Sequence, residues 1–142
     1  MLNLDKTIKN LKGEEFPKSY PTQKDIDNLP KAKDGSISQK DLPVESIRNV
    51  ILNCLSFYQQ KDRKEGFLIN IAAQAVLEGG EIELKVKTKG FIIDVLNESI
   101  ILLEKTKDKE GKEIIAEKGV YRGWVIAQVL TEMGEKYEDT NK

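Results

Sequence analysis

Glu81-Ile82-Glu83-Leu84-Lys85-Val86-Lys87 alternates strictly between charged and apolar residues, the pattern of a strand with one face in a core. Helical spacing stands on both sides of it. Upstream, Phe67, Leu68, Ile71, Ala72, Ala75 and Val76 recur every three or four residues until Gly79-Gly80, a strong helix stop. Downstream, Phe91, Ile92, Val95, Leu96, Ile100 and Leu103 resume the helical period, with Thr88 placed to cap that helix. A strand framed by helices predicts an α+β fold: a single, mostly helical domain of about four helices with a small antiparallel sheet.

The neighbouring segments extend this frame. Pro43 suits the first position of a helix and Glu45 its first turn. Ile47, Val50, Ile51, Cys54, Leu55 and Tyr58 then form an apolar stripe that ends near Gln60, broadened by Val44, Leu52 and Phe57. The charged run Lys61–Glu65 is a connection or the solvated start of the next helix, where Ala72, Ala73 and Ala75 allow close approach of a neighbour. Ile100–Leu103 is also a continuous apolar run. It can leave the helix and pair with Ile114-Ile115-Ala116 across a charged turn around Gly111. The last helix starts near Val120, carries Trp124, Val125, Ile126, Val129, Leu130 and Met133, and reaches Tyr137. Gly123 inside it costs about 1 kcal/mol relative to alanine and marks close packing.

Four segments follow. Residues 1–16 form an N-terminal β element, with Leu2 and Leu4 alternating and a turn at Lys12-Gly13-Glu14. Residues 17–41 are a polar arm or linker holding Pro17, Pro21 and Pro30, a turn at Asp34-Gly35-Ser36 and a short helical turn near Gln23–Asn28. They wrap the surface or order on a partner. Residues 42–137 are the helical core domain with strand 81–87, and 138–142 a frayed tail.

Composition narrows the chemistry. The 142 residues include no histidine and one cysteine, Cys54. Ser/His and Cys/His nucleophiles, a histidine proton shuttle and a His/Cys zinc cluster are all absent. With 23 basic and 24 acidic residues the net charge is −1, which sets up no global field toward nucleic acid or an anionic membrane. This balance leaves room for a local basic stripe, so nucleic acid is a possible but not favoured partner. The start lacks the basic and apolar regions of a signal peptide, and no apolar run approaches the roughly 20 residues of a membrane span. One cysteine makes no internal disulfide, so a reducing cytoplasm is the expected compartment.

The candidate sites are few. Glu78, Glu81 and Glu83 cluster at the Gly79-Gly80 turn, but alternating glutamates on a solvated strand face explain them more simply than a metal or a carboxylate pair. Asp34-Gly35-Ser36-Ile37-Ser38 lacks the spacing of a phosphate loop, and acids interleave the lysines of 105–109. Cys54, on an apolar helix face with no histidine to activate it, reads as a small hydrophobe. Tyr121-Arg122-Gly123-Trp124 holds the residue types that dominate protein interfaces, and Tyr121, Arg122 and Trp124 are the candidate protein-binding residues. Neither catalytic nor metal residues are assigned, and no cofactor is expected.

One resemblance adds to these readings. Leu2-x-Leu4-Asp5 with Lys12-Gly13-Glu14 precedes a helix near Leu42-Pro43-Val44, an alanine-rich helix, Gly80-Glu81-Ile82-Glu83-Leu84, and Val125-Ile126-Ala127-Gln128-Val129-Leu130. This order resembles a family of small, uncharacterised proteins of tailed bacteriophages over residues 2–15 and 42–133. The long 17–41 lead, the 105–118 excursion and Ala127 before Gln128, where that family carries glycine, depart from it. The resemblance implies a phage or prophage origin, hence the host cytoplasm or a virion, and carries over no activity or site residues. The expected role is non-enzymatic: a phage-encoded protein acting by protein–protein contact or self-association, in virion structure and assembly or on a host protein. The alternative is a small nucleic-acid-binding or transcription-related regulator.

Overall fold

The computed structural model describes residues 1–30, 42–77 and 80–135. In chain order the elements are β1 (Leu2–Asn3), α1 (Gln23–Asp27), α2 (Ile47–Phe57), α3 (Arg63–Leu77), β2 (Glu81–Ile82), α4 (Val86–Glu98), β3 (Leu102–Lys107), β4 (Glu113–Lys118) and α5 (Gly123–Glu132). The fold is α+β, with the four expected helices plus the short α1. The expected sheet is two separate antiparallel pairs, β1–β2 and β3–β4. Among the described residues, no helix is long and apolar enough to cross a membrane.

α2 is the hub. Its buried stripe Ile47, Val50, Ile51, Cys54 and Leu55 packs against α3, α4 and α5. Ala72 and Val76 come from α3, Phe91, Ile92, Val95 and Leu96 from α4, and Val125, Ile126 and Val129 from α5. The N-terminal segment completes the core with Leu2, Leu4 and Ile8. It also satisfies the donors that open α2. The Ile47 and Arg48 amides reach Lys6 O and Leu4 O, both at 3.0 Å, and the Asn49 amide reaches the Ser46 hydroxyl at 3.3 Å.

That arrangement corrects the expected start of α2. Pro43–Glu45 are extended, not helical. The Lys18 amide binds Pro43 O, the Glu45 amide binds Phe16 O, and the Ile8 amide binds Glu45 O. The chain is held between two partners until Ser46 caps the helix, so Glu45 precedes the first turn.

The strand expected over 81–87 is also shorter. Ile82 and Leu84 are half-buried and Glu81 and Glu83 exposed, as alternation requires. Only Glu81 and Ile82 pair, with Asn3 and Leu2, and residues 83–85 run on outside the ladder. α4 begins at Val86. Its N-cap is Lys85, with no side-chain cap, and Thr88 lies within the helix. α5 begins at Gly123 instead of Val120, since Val120 and Tyr121 are bonded to Ser99. Gly123 is the first residue of that helix, and a side chain there would meet Ile100 at an ordinary 3.7 Å, so no tight packing calls for it.

Residues 17–30 lie on the body. Thr22 and Asp25 form a reciprocal capping box on α1, and the Thr22 amide holds the Asp25 carboxyl below its ordinary range. The Asp34 turn and residues 31–41, Glu78, Gly79, Tyr137 and the tail lie outside the described residues.

Candidate functional site

β3 and β4 form a six-residue antiparallel ladder from Leu102 opposite Lys118 to Lys107 opposite Glu113. The turn is built for this. The Gly111 amide binds Asp108 O, the Asp108 amide binds Lys112 O, and Gly111 takes φ +83°, the left-handed residue of a bulged three-residue turn. The expected hairpin is present, but Ile114, Ile115 and Ala116 lie opposite Thr106, Lys105 and Glu104 and not opposite Ile100–Leu103.

What distinguishes the hairpin is its exposure. Every strand residue is exposed except Ala116, which is half-buried. Leu102, Leu103, Ile114 and Ile115 are 64, 73, 42 and 66% exposed. In this register Leu102, Ile114 and Ala116 share one face and Leu103 and Ile115 the other. Neither face is therefore a core face. A lone two-stranded hairpin is marginal in water, and this one presents four large apolar side chains to solvent.

The hairpin is rooted firmly. Ser99 O accepts from the Val120 amide at 2.8 Å and the Tyr121 amide at 3.2 Å, and the Ile101 amide donates to Tyr121 O at 2.8 Å. The chain crosses itself at Gly119, φ +139°, where a Cβ would lie 2.5 Å from Ile100 O. Beside the root, a cleft of about 650 Å³ opens between the end of α2 and the hairpin. Tyr20, Phe57 and Tyr58 line it, with Lys61, Glu98 and Lys118 at the rim. Lys61 pairs with Glu98 at 3.0 Å, which raises its pKa. The Tyr20 ring packs tilted against Phe57 and edge-on against Tyr121, with centroids 5.1 and 5.6 Å apart, and its hydroxyl donates to Val120 O.

The three candidate residues do not converge. Tyr121 is buried. Its hydroxyl donates to Glu45 Oε2 at 3.1 Å and accepts from Asn53 Nδ2 at 2.9 Å. Burial raises its pKa. Arg122 points outward to Glu117 of β4 at 3.1 Å, an exposed pair worth at most about 1 kcal/mol. Trp124 is half-buried edge-on against Phe16, with ring centroids 5.6 Å apart. Tyr121 is the inner anchor of the hairpin, Arg122 touches its outside, and Trp124 belongs to the body.

The remaining reactive groups are turned inward. Glu45 is fully buried; Oε2 takes the Ser19 amide and the Tyr121 hydroxyl, and Oε1 has no partner among the described residues. Cys54 is fully buried, and desolvation pushes its thiol up to about 12. Glu81 and Glu83 are exposed, and among the described residues no three acidic or cysteine side chains converge as a metal site needs. On the hairpin, Lys105, Lys107, Lys109, Lys112 and Lys118 are interleaved with Glu104, Asp108, Glu110, Glu113 and Glu117. The whole arm is therefore neutral.

Sequence reasoning found the hairpin but missed its outward apolar residues. The available signal was the split of Leu102/Leu103 and Ile114/Ile115 onto opposite faces, which leaves no side for a core. No family model, curated protein or solved structure matches this chain.

Proposed function

We propose that this chain is a non-enzymatic, phage-encoded protein that works by protein–protein contact, in virion structure and assembly or on a host protein. The hairpin carries the reading: a rooted β arm with apolar side chains on both faces and two edges that are unpaired among the described residues. Burying Leu102, Leu103, Ile114 and Ile115 from their present exposure would contribute roughly 4–7 kcal/mol. That falls within the range of the cost of association, about 4–15 kcal/mol, so the arm needs charged and main-chain contacts beside the apolar ones. Unpaired strand edges supply main-chain contacts to an added strand or sheet. The inward placement of Cys54, Tyr121 and Glu45 supports a role that uses shape and not bond chemistry. The phage origin rests on the sequence resemblance, and the cytoplasmic setting on the free, buried thiol.

A photo-crosslinking residue at Ile115, compared with one at the exposed Lys64 of α3, tests the reading in cells that carry the intact protein. Discrete protein adducts from position 115 and not from position 64 are expected. Absence of adducts at 115, or the same adducts from both positions, overturns it.

A further inference from the structure

Among the described residues, no main-chain hydrogen bond from the body reaches β3 or β4 within the ladder, so the arm's edges are free, and one side-chain bond from the body does, Arg122 to Glu117 at 3.1 Å. The two faces differ. One carries Leu102, Glu104, Thr106, Ile114, Ala116 and Lys118, with Glu104 and Lys118 already paired at 3.8 Å. The other carries the more exposed apolar pair, Leu103 and Ile115, and its Glu117 is already bonded to Arg122. On this second face the charges are sorted by strand: Lys105 and Lys107 lie on β3, and Glu113 and Glu117 on β4.

A face that is basic along one strand and acidic along the other complements itself in one arrangement. A two-fold axis parallel to the strands lays each β3 over the partner's β4. At equal height along the strands Lys107 then meets Glu113 of the other copy, Lys105 lies over Ile115 between two glutamates, and Leu103 and Ile115 are enclosed between the sheets about 10 Å apart. The other two-fold, perpendicular to the strands, lays β3 over β3 and opposes lysine to lysine. Edge pairing is disfavoured too. The Asp108–Lys112 bond fixes the alternation, so residues 103, 105 and 107 of β3 and 113, 115 and 117 of β4 direct their main-chain groups outward. Centred antiparallel pairing of β3 with its own copy then opposes Lys105 to Lys105, and of β4 with its own copy opposes Glu113 to Glu117.

We propose that a second copy of this chain is the occupant: two hairpins pair face to face about a two-fold parallel to their strands, each β3 over the other's β4. This deepens the protein-contact reading and rests on it. Twelve strand residues cannot supply the roughly 800 Å² per partner of a standard interface, so the dimer is a weak one.

Sedimentation velocity on the full chain, from about 10 µM to 1 mM, reads the association directly. The wild type is expected to pass from monomer to dimer within that range and stop there. K105E/K107E puts acids over acids, and dimerisation should weaken at least tenfold. The exchange K107E/E113K keeps that cross-strand charge pair within its own hairpin and leaves the Arg122–Glu117 pair in place. It should dimerise as the wild type does, yet form no mixed dimer with it. A wild type that stays monomeric at 1 mM, mass that climbs past the dimer, or free mixing of wild type with the exchanged K107E/E113K variant overturns the proposal. If position 115 still crosslinks a different protein in cells while the purified chain stays monomeric, the self-pairing is wrong and the protein-contact reading stands.

Discussion

Replacing Gly119 with alanine should detach the hairpin from the body. A Cβ there would sit 2.5 Å from Ile100 O and 2.7 Å from both Ile100 C and Ile101 Cα, all main-chain atoms. Ordinary contact begins near 3.4 Å, so the gap to open is close to 1 Å. The opposing backbone cannot drift. It is pinned by the Val120 and Tyr121 amides on Ser99 O and by the Ile101 amide on Tyr121 O. At φ +139° the alanine also occupies backbone space that side chains avoid, at about 1–3 kcal/mol. Adding overpacking of about 1–3 kcal/mol gives a total of about 2–6 kcal/mol. The cheaper escape is to break the root bonds, each worth about 0.5–1.5 kcal/mol, and let the arm fray. The assay is amide hydrogen exchange beside far-UV circular dichroism. Protection at Ile101, Val120 and Tyr121 should fall by about 100-fold or more while the helical signal stays. A G119A chain with unchanged protection at those amides and a urea midpoint matching the wild type would refute the reasoning.

Three further outcomes are expected. Tyr121→Phe removes one of the two donors to Glu45 Oε2 and the acceptor of the half-buried Asn53 amide; it should cost about 1–3 kcal/mol in urea unfolding. Ser46→Ala removes the cap of α2 and should cost about 1 kcal/mol, whereas a helix that began at Pro43 would lose almost nothing. Cys54 supplies the pH test. Its folded thiol, raised from 9.0 to about 12, keeps its proton while the unfolded thiol loses it above 9. That contribution is therefore complete below pH 9 and is lost as pH rises from 9 toward 12, by up to about 1.4 kcal/mol per unit. Urea midpoints from pH 8 to 10.5 should fall more steeply for wild type than for Cys54→Ala, and equal slopes would contradict the buried thiol.

The helices were legible because their apolar spacing is long and regular, and the helical turn near Gln23–Asn28 became α1 with its Thr22/Asp25 box. Boundaries failed where long-range pairing overrode local chemistry. Pro43 and Glu45 carry good signals for a helix start, but 7–18 claim that stretch as a strand. Residues 81–87 alternate as a strand should, but the ladder with β1 ends after Ile82. No local pattern carries the length of a partner strand. The candidate interface residues separate for a different reason. Tyr121, Arg122 and Trp124 are adjacent where a β bridge at Tyr121 hands over to the N-cap of α5 at Arg122. Side chains at such a junction diverge, so closeness in sequence does not become one surface.

The same junction explains why the arm has a defined direction. Tyr121 joins two networks. Its main chain bonds Ser99 and Ile101 at the hairpin root, and its hydroxyl sits between Glu45 and Asn53. Ser99 in turn is tied to α4 through Val95 O. Apolar contacts alone would let the root slide by a fraction of a residue at little cost, because they have no preferred direction. Buried hydrogen bonds tolerate no such slide, since each displaced donor is left unpaired in a low-dielectric interior. The polar cluster around Glu45 thus acts as an angular lock on an otherwise unsupported hairpin. An arm held in one orientation loses less freedom on docking than a tethered one, and that saving matters most when the apolar gain only matches the cost of association.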